Sequence, residues 1–325
     1  MKRRYALVDV FADRPLAGNP LAVFPDAKSI PEELLQPIAR EMDHAATAFL
    51  SPSSQPGAQF RLRIFSREHE IPFAGHPALG AHFVHATESR LPLQEPVTRV
   101  AHEGNQGLFQ VEILVENGRI GMLRLEQRPP EMSRRLAPEE VGRVARALGL
   151  SEEDIQATNQ PVKVASTGLP VLIVPISTLQ ALGAVRPRYG DLLDLLEGRD
   201  ATIVYAFTKE TRDAHSAAHA RAFDTVGASE IPGAGAAAGA LSAYLVAHSA
   251  VAVKPVTELV VEQGHALGRP STLYVEVHVD EAGTKGERRT TKGAERETGD
   301  FGRPRIRQVI LGGRVVPIGE GWLDV

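Results

Sequence analysis

Along most of the chain, apolar and polar positions alternate in short β-type runs bounded by Gly, Pro and Asp. These are "RYALVDVF", "LAVF", "ATAFLSP", "FRLRIF", "FQVEILVENGRIGMLRLEQ", "VKVAS", "LPVLIVPI", "ATIVYAF", "AHARAF", "STLYVEVHV" and "RQVILGGRVVPI". Helical spacing is rarer. It predicts helices in "PEELLQPIAREM" and in "PEEVGRVARALGL", where Val141, Val144, Ala145 and Leu148 share one face. Two more are predicted in "HPALGAHFVHA" and "AAAGALSAYLVAHSA", each of which follows a glycine. "ENGR" at Glu116 to Arg119 predicts a hairpin, because Asn-Gly accepts the positive φ values of a type I′ turn.

The pattern is also written twice. "EIPFAGHPALGA" (Glu70 to Ala81) returns as "EIPGAGAAAGAL" (Glu230 to Leu241), and each copy is preceded by a strand, with Arg63-Ile64-Phe65 before the first and Arg221-Ala222-Phe223 before the second. Each copy reads as strand, loop, glycine and helix. The helices begin at His76 and Ala236, with free backbone N–H groups and the positive dipole end turned to whatever lies between the halves. Such an arrangement suits a carboxylate, which makes Gly75, Gly233, Gly235 and Ala236 candidate binding residues. Gly-rich helix starts also serve plain packing.

A chain of 325 residues exceeds one ordinary core, so two units are expected. The polar, proline-containing stretch "LEQRPPEMSRRLAPEE" near 125–140 separates them, and Asp280 to Arg305, charged and glycine-rich, reads as a loop or hairpin tip. Apolar residues make up 43%, enough for a core in each unit. The absence of a long apolar run argues against a membrane span, and the N-terminal residues lack a signal-type apolar segment, so a cytoplasmic location is expected. A net charge of -4 without a basic face argues against nucleic acid. There is no cysteine, hence no disulfide and no thiolate nucleophile or ligand. His82, His85 and His102 lack metal-site spacing, so no metal is expected. The run Gly233 to Gly239 reads G-x-G-x-x-x-G and lacks a Walker lysine, so no nucleotide cofactor is expected.

"VDVFADRPLAGNPLAVF", "AREMDHAATAFLSP", "IPFAGHPALGA", "VEQGHALGRPSTLYVEV" and "LGGRVVPIGEG", in this order, resemble the PhzF family of phenazine-biosynthesis-type isomerases and epimerases. The resemblance covers Asp9 to Gly321. It implies an α/β, diaminopimelate-epimerase-like fold with two pseudo-symmetric domains, each a β-sheet wrapped around a central helix, and a site in the cleft between them. The implied domains are 1–128, with strands at about 306–325 returning to it, and 136–279, followed by the loop 280–305. A cofactor-independent isomerase of a small metabolite, in a biosynthetic pathway and as a homodimer, is also implied.

The resemblance also implies particular proton carriers. Racemase relatives use a cysteine pair, which this chain excludes. PhzF-type enzymes use a Glu in a Ser-Glu-Thr-x-Phe motif, the His of Gly-His-Pro and the Asp of Glu-Asp-Pro-x-Thr-Gly-Ser. Here "DHAATAF" puts Ala46 at the Glu, and "EIPGAGA" puts Ile231 at the Asp, Ala234 at the Thr and Ala236 at the Ser. Of the three, His76 remains.

Two readings stay open. In one, His76 does acid–base work with a partner from Asp43, His44 or Glu230. In the other, proton transfer is lost, and an apolar cleft binds or shapes its ligand in a pericyclic or dehydrative step or as a pseudoenzyme. Asp43 and His44 also suit the end of a helix, and Glu70 and Glu230 suit a structural role holding backbone amides. Asn19 and Arg269 are candidate substrate contacts, Arg269 through its bidentate fork, and Gln263 is a similar candidate.

Overall fold

The computed structural model describes residues 2–71, 75–280 and 304–325, so Pro72 to Ala74 and nearly all of the predicted loop 280–305 lie outside the described residues. The first half runs β1 (Lys2–Val10), β2 (Asn19–Phe24), α1 (Glu32–Met42), β3 (Thr47–Ser51), β4 (Arg61–Phe65), β5 (Glu70–Ile71), α2 (Gly75–His85), β6 (Val97–Gly104), β7 (Gly107–Glu116) and β8 (Arg119–Glu126). There follow β9 (Glu131–Met132), α3 (Pro138–Leu148), α4 (Glu153–Gln156), β10 (Lys163–Ser166), β11 (Pro170–Pro175), α5 (Leu179–Ala184), α6 (Tyr189–Leu196), β12 (Ile203–Thr208), β13 (Ala218–Asp224), β14 (Ser229–Ile231), α7 (Gly235–Ala247), β15 (Val256–Gln263), β16 (Ser271–Val279), β17 (Ile306–Gly313) and β18 (Val315–Asp324).

The pairing is the same in both halves. β1–β2 and β10–β11 are antiparallel, and β2–β3 and β11–β12 are parallel. Antiparallel β3–β4–β5 corresponds to β12–β13–β14. The parallel step β4–β6 matches β13–β15, and the antiparallel run β6–β7–β8 matches β15–β16–β17. β8 and β17 then pair with each other and join the halves. At the other ends β18 adds to β1 and β9 to β10.

Amphipathicity sets the layers. α2 and α7 are apolar on nearly every side and buried along nearly their whole length, which only the middle of a wrapped sheet permits. One continuous core surrounds both. α1 lies on the outer face of the first half over Phe24, Phe49 and Phe65. α3, α5 and α6 do the same on the second half, where Val171 and Ile173 face the inner core and Leu172 and Val174 the outer one. Covered on both faces, β11 is therefore apolar throughout instead of alternating. The Asn117-Gly118 turn has φ values of 53° and 69°, as its sequence predicts. α5 and α6 are additions to that reading, being too short for a clear helical period. Thr178 caps α5 by accepting from the Ala181 N–H at 3.0 Å.

The repeated glycines have a steric reason. A Cβ on Gly75 would sit 2.7 Å from Leu311 Cδ2, and one on Gly235 would sit 2.5 Å from the same atom. Overpacking of this kind typically costs about 1–3 kcal/mol. Gly75→Ala and Gly235→Ala should each lower stability on that scale in denaturant melts. Gly183→Ala, where a Cβ meets nothing within 4 Å, should be neutral or stabilising. Equal effects at all three positions would refute the packing argument.

A second buried feature lies between α2 and β6. His82 and His102, 0% and 3% exposed, share a hydrogen bond of 3.1 Å between Nε2 and Nδ1, with Phe60 and Phe109 beside them. Burial lowers His102 to about 4, and burial together with neighbouring imidazoles pushes His82 well down. The unfolded chain takes up protons from about pH 6.5. The stability held by the neutral pair is therefore complete above that pH and is lost as pH falls through about 4. Melting temperatures should drop from pH 7 to 4.5, and His102→Phe should make that drop shallower. An equal slope in the variant would rule the pair out as a cause.

Candidate functional site

The two central helices meet start to start. A Cβ on Gly75 would lie 3.9 Å from both Ala236 N and Gly235 C, so the first turns of α2 and α7 face each other beside Leu311. Each contributes unpaired N–H groups and a partial positive charge. The N-cap of α7 is Ala234, which has no side chain to satisfy those groups. Among the expected site residues, Gly75, His76, Gly233, Gly235, Ala236 and Asn19 come together here.

Asn19 bridges the halves. Fully buried at the start of β2, it donates from Nδ2 to Gly233 O at 2.8 Å, while its Oδ1 is buried without a hydrogen-bond partner. His76, second residue of α2, is 8% exposed, and its Nε2 is likewise buried and unpartnered. Burial lowers its pKa to about 3, so the ring is neutral at physiological pH. Ala46 is fully buried, Ile231 half-buried, and Ala234 and Ala236 are 8% and 6% exposed. The facing wall therefore offers backbone and methyl groups.

Other expected site side chains are committed elsewhere. Asp43 ends α1 in the left-handed region, with φ 51°, which turns its carboxylate to the surface against Arg67 at 3.0 Å. His44 is half-buried next to the charges of Asp43, Arg269 and Asp9, with its pKa lowered mainly by burial. Arg269 is spent on the first half. It donates to Asp9 Oδ1 at 2.5 Å, Gly18 O at 3.0 Å and Ala17 O at 2.9 Å, which ties the loop after β1 to the loop after β15. The expectation of a free fork for a substrate carboxylate is thereby corrected.

Glu230 is corrected as well, and so is the expectation that the repeated glutamates hold backbone amides. Glu230 accepts both prongs of Arg221, at 3.0 and 2.8 Å, and Glu70 does the same with Arg63, at 2.9 and 2.8 Å. The guanidiniums lie over Phe223 and Phe65. R-x-F and E-I-P are thus one device in both halves. The strand pairs Phe65↔Glu70 and Phe223↔Glu230 bring each Glu diagonally opposite its Arg.

Sequence reasoning passed over Gln127 and Thr167. Gln127 donates to Gly235 O at 3.1 Å and accepts from the Thr167 hydroxyl at 2.8 Å, and the one proton of that hydroxyl is shared with Ala236 O at 3.2 Å. Gln263, named only as a possible substrate contact, instead donates to Ile231 O at 2.6 Å and accepts from Ala234 N and Tyr205 Oη. A lone Gln after a strand carries no periodic signal. The glycine at 239 is the one trace, since a Cβ there would meet Gln127 Oε1 at 1.7 Å.

The family model described as phenazine biosynthesis-like protein, PhzC-PhzF, matches residues 8–294. The chain belongs to this family. An uncharacterized isomerase of Clostridium acetobutylicum is 30% identical over 86% of this chain and 92% of its own length. The trans-2,3-dihydro-3-hydroxyanthranilate isomerase of Pseudomonas aeruginosa is 30% identical over 83% and 89%. Among solved structures, the Bacillus anthracis PhzF-family protein superposes with a TM-score of 0.83 at 23% identity, covering all of both chains. A probable proline racemase from Agrobacterium radiobacter gives 0.64 at 13%, covering 99% of this chain and 93% of that one. This PhzF-family protein therefore has the mixed α/β, epimerase-like fold, and its family is one of isomerases. No helix among the described residues is long and apolar enough to cross a membrane.

The Arg221–Glu230 side chains are 9% and 10% exposed. Removing one partner from a buried pair typically costs about 3–5 kcal/mol. Glu230→Gln should therefore lose stability towards that scale in chemical denaturation. A variant as stable as the parent but weaker in ligand binding would return Glu230 to the substrate.

Proposed function

We propose that this PhzF-family protein is a cofactor-independent isomerase of a small, unsaturated, carboxylate-bearing metabolite, with His76 handling the proton. The observation that carries the reading is the buried, unpartnered Nε2 of a neutral His76 at a helix start that meets a second helix start. Two first turns offer N–H groups and aligned dipoles to one carboxylate, the ligand chemistry such ends favour. Asn19 Oδ1 adds a buried acceptor for a substrate O–H or N–H.

On this reading the imidazole lone pair takes a proton from a carbon next to the unsaturation, the double bond shifts, and the imidazolium returns the proton to another carbon. Nothing is gained or lost overall. The bound carboxylate favours the imidazolium while it lasts. The substrate-free pKa of about 3 keeps His76 in its base form at neutral pH.

The family Glu and Asp are replaced by Ala46 and Ile231, and Asp43 and Glu230 are held by Arg67 and Arg221. His76 therefore works without those carboxylates. The same apolar wall favours the second reading, in which the cleft only binds and shapes its ligand.

The test starts from trans-2,3-dihydro-3-hydroxyanthranilate, the substrate in a relative's name, and follows turnover and solvent deuterium uptake. General acid–base groups contribute about 10²–10⁴-fold, so His76→Asn should slow turnover at least roughly tenfold with its circular dichroism unchanged. Because the pKa is lowered, the base form should persist as pH falls through 6.5. kcat/KM should then show no acid limb there and decline only towards about 3. Unchanged turnover in the variant would leave the shaping cleft as the better account.

A further inference from the structure

An uncapped helix start frays unless something else holds it. Ser, Thr, Asp or Asn at the N-cap usually accepts the first-turn N–H groups. Ala234 cannot, and the next two residues, Gly235 and Ala236, cannot either. Four side chains from other elements grip the carbonyl side of the same backbone instead. Gln263 holds Ile231 O at 2.6 Å, Asn19 holds Gly233 O at 2.8 Å, Gln127 holds Gly235 O at 3.1 Å, and Thr167 reaches Ala236 O at 3.2 Å. All four are buried, with at most 5% exposure.

Peptide planarity converts this grip into a direction. In a trans peptide the C=O and the following N–H point opposite ways. Holding Gly235 O and Ala236 O on the protein side therefore turns the N–H groups of Ala236 and Ala237 towards the start of α2. The Gln127 carboxamide is itself fixed, since its Oε1 accepts from Thr167 at 2.8 Å and it lies over Gly239, where any Cβ would displace it. Apolar side chains would fill the same space with no buried polar groups to satisfy.

We infer that Gln127 and Thr167 are positioning residues, which hold the uncapped first turn of α7 so that the Ala236 and Ala237 N–H groups are presented to a ligand carboxylate. The inference rests on the carboxylate reading given above. A ligand's anion then serves as the cap that the sequence omits.

The experiment titrates the full chain with 3-hydroxyanthranilate and with its carboxamide, which differ only at the carboxylate. The wild type should prefer the carboxylate. Gln127→Met should weaken carboxylate binding at least roughly tenfold, the size of one lost hydrogen bond to a charged group, and weaken carboxamide binding less, so that the preference narrows. Thr167→Val should act in the same direction. A carboxylate preference retained undiminished in both folded variants overturns the positioning role and spares the carboxylate reading. No preference in the wild type overturns both.

Should the variants not fold, amide resonances of the wild type decide. Those of Ala236 and Ala237 should move further with the carboxylate than with the carboxamide, and a Gln127 side-chain N–H should exchange slowly. Still resonances or fast exchange would overturn the inference.

Discussion

The close approach of two helix starts beside one leucine is the constraint on which the rest of the structure depends. Leu311 comes from β17, the strand that pairs with β8 and joins the halves, and its Cδ2 occupies the space where side chains at 75 and 235 would begin. Glycine at both positions leaves room for Leu311 between the two helix starts, where a Cβ on Gly75 would come within 3.9 Å of the α7 backbone. Their positive ends oppose each other, an unfavourable electrostatic arrangement in a dry interior. Burial of two apolar helices inside their sheets offsets it. The imidazole of His76, whose Nε2 is buried without a partner, lies at this meeting of positive helix ends.

Fixing that meeting point takes anchors on both sides. The Arg63–Glu70 and Arg221–Glu230 pairs lock the hairpins that lead towards the helices. Arg269 clamps the loop after β1 to the second half, and Asn19 and Gln127 reach from the first half onto the backbone at 233 and 235. Of the polar side chains expected to meet substrate, Glu230, Gln263, Arg269 and the Asn19 amide nitrogen are thus occupied in holding the walls still. A preorganised backbone site needs this, because N–H groups cannot swing to meet a ligand as side chains can.

Much of the fold was legible in the sequence. Alternating runs marked the strands, Asn117-Gly118 the hairpin, and the repeated glycines two matched helix starts. The roles of charged residues were less legible, because they depend on partners brought close by strand pairing. Glu230 was open to substrate or to a structural role until the β13–β14 pairing put Arg221 diagonally across from it. Arg269 looked like a free fork, but Asp9 and two carbonyls across the halves satisfy it. Asp43 followed a helix in the sequence, and only its left-handed backbone reveals that it points outward. Gln127 and Thr167 left no pattern, since each acts through a backbone carbonyl far along the chain.

The repeat is symmetric in topology and asymmetric in chemistry, and this bears on the kind of isomerisation that the proposed function would allow. Inverting a stereocentre calls for a base on one face of a carbon and an acid on the other, so both walls need a titratable side chain. Here the matched positions are His76 on one wall and Ala236 on the other, and the second wall ends in Gly233, Ala234 and Gly235. With His76 as sole carrier, the proton that leaves must return from the same imidazole, hence to the same face of the substrate. On the proposed function the geometry favours moving a hydrogen along one face of an unsaturated skeleton, with the alanine and glycine wall supplying fit and the paired helix starts holding a carboxylate.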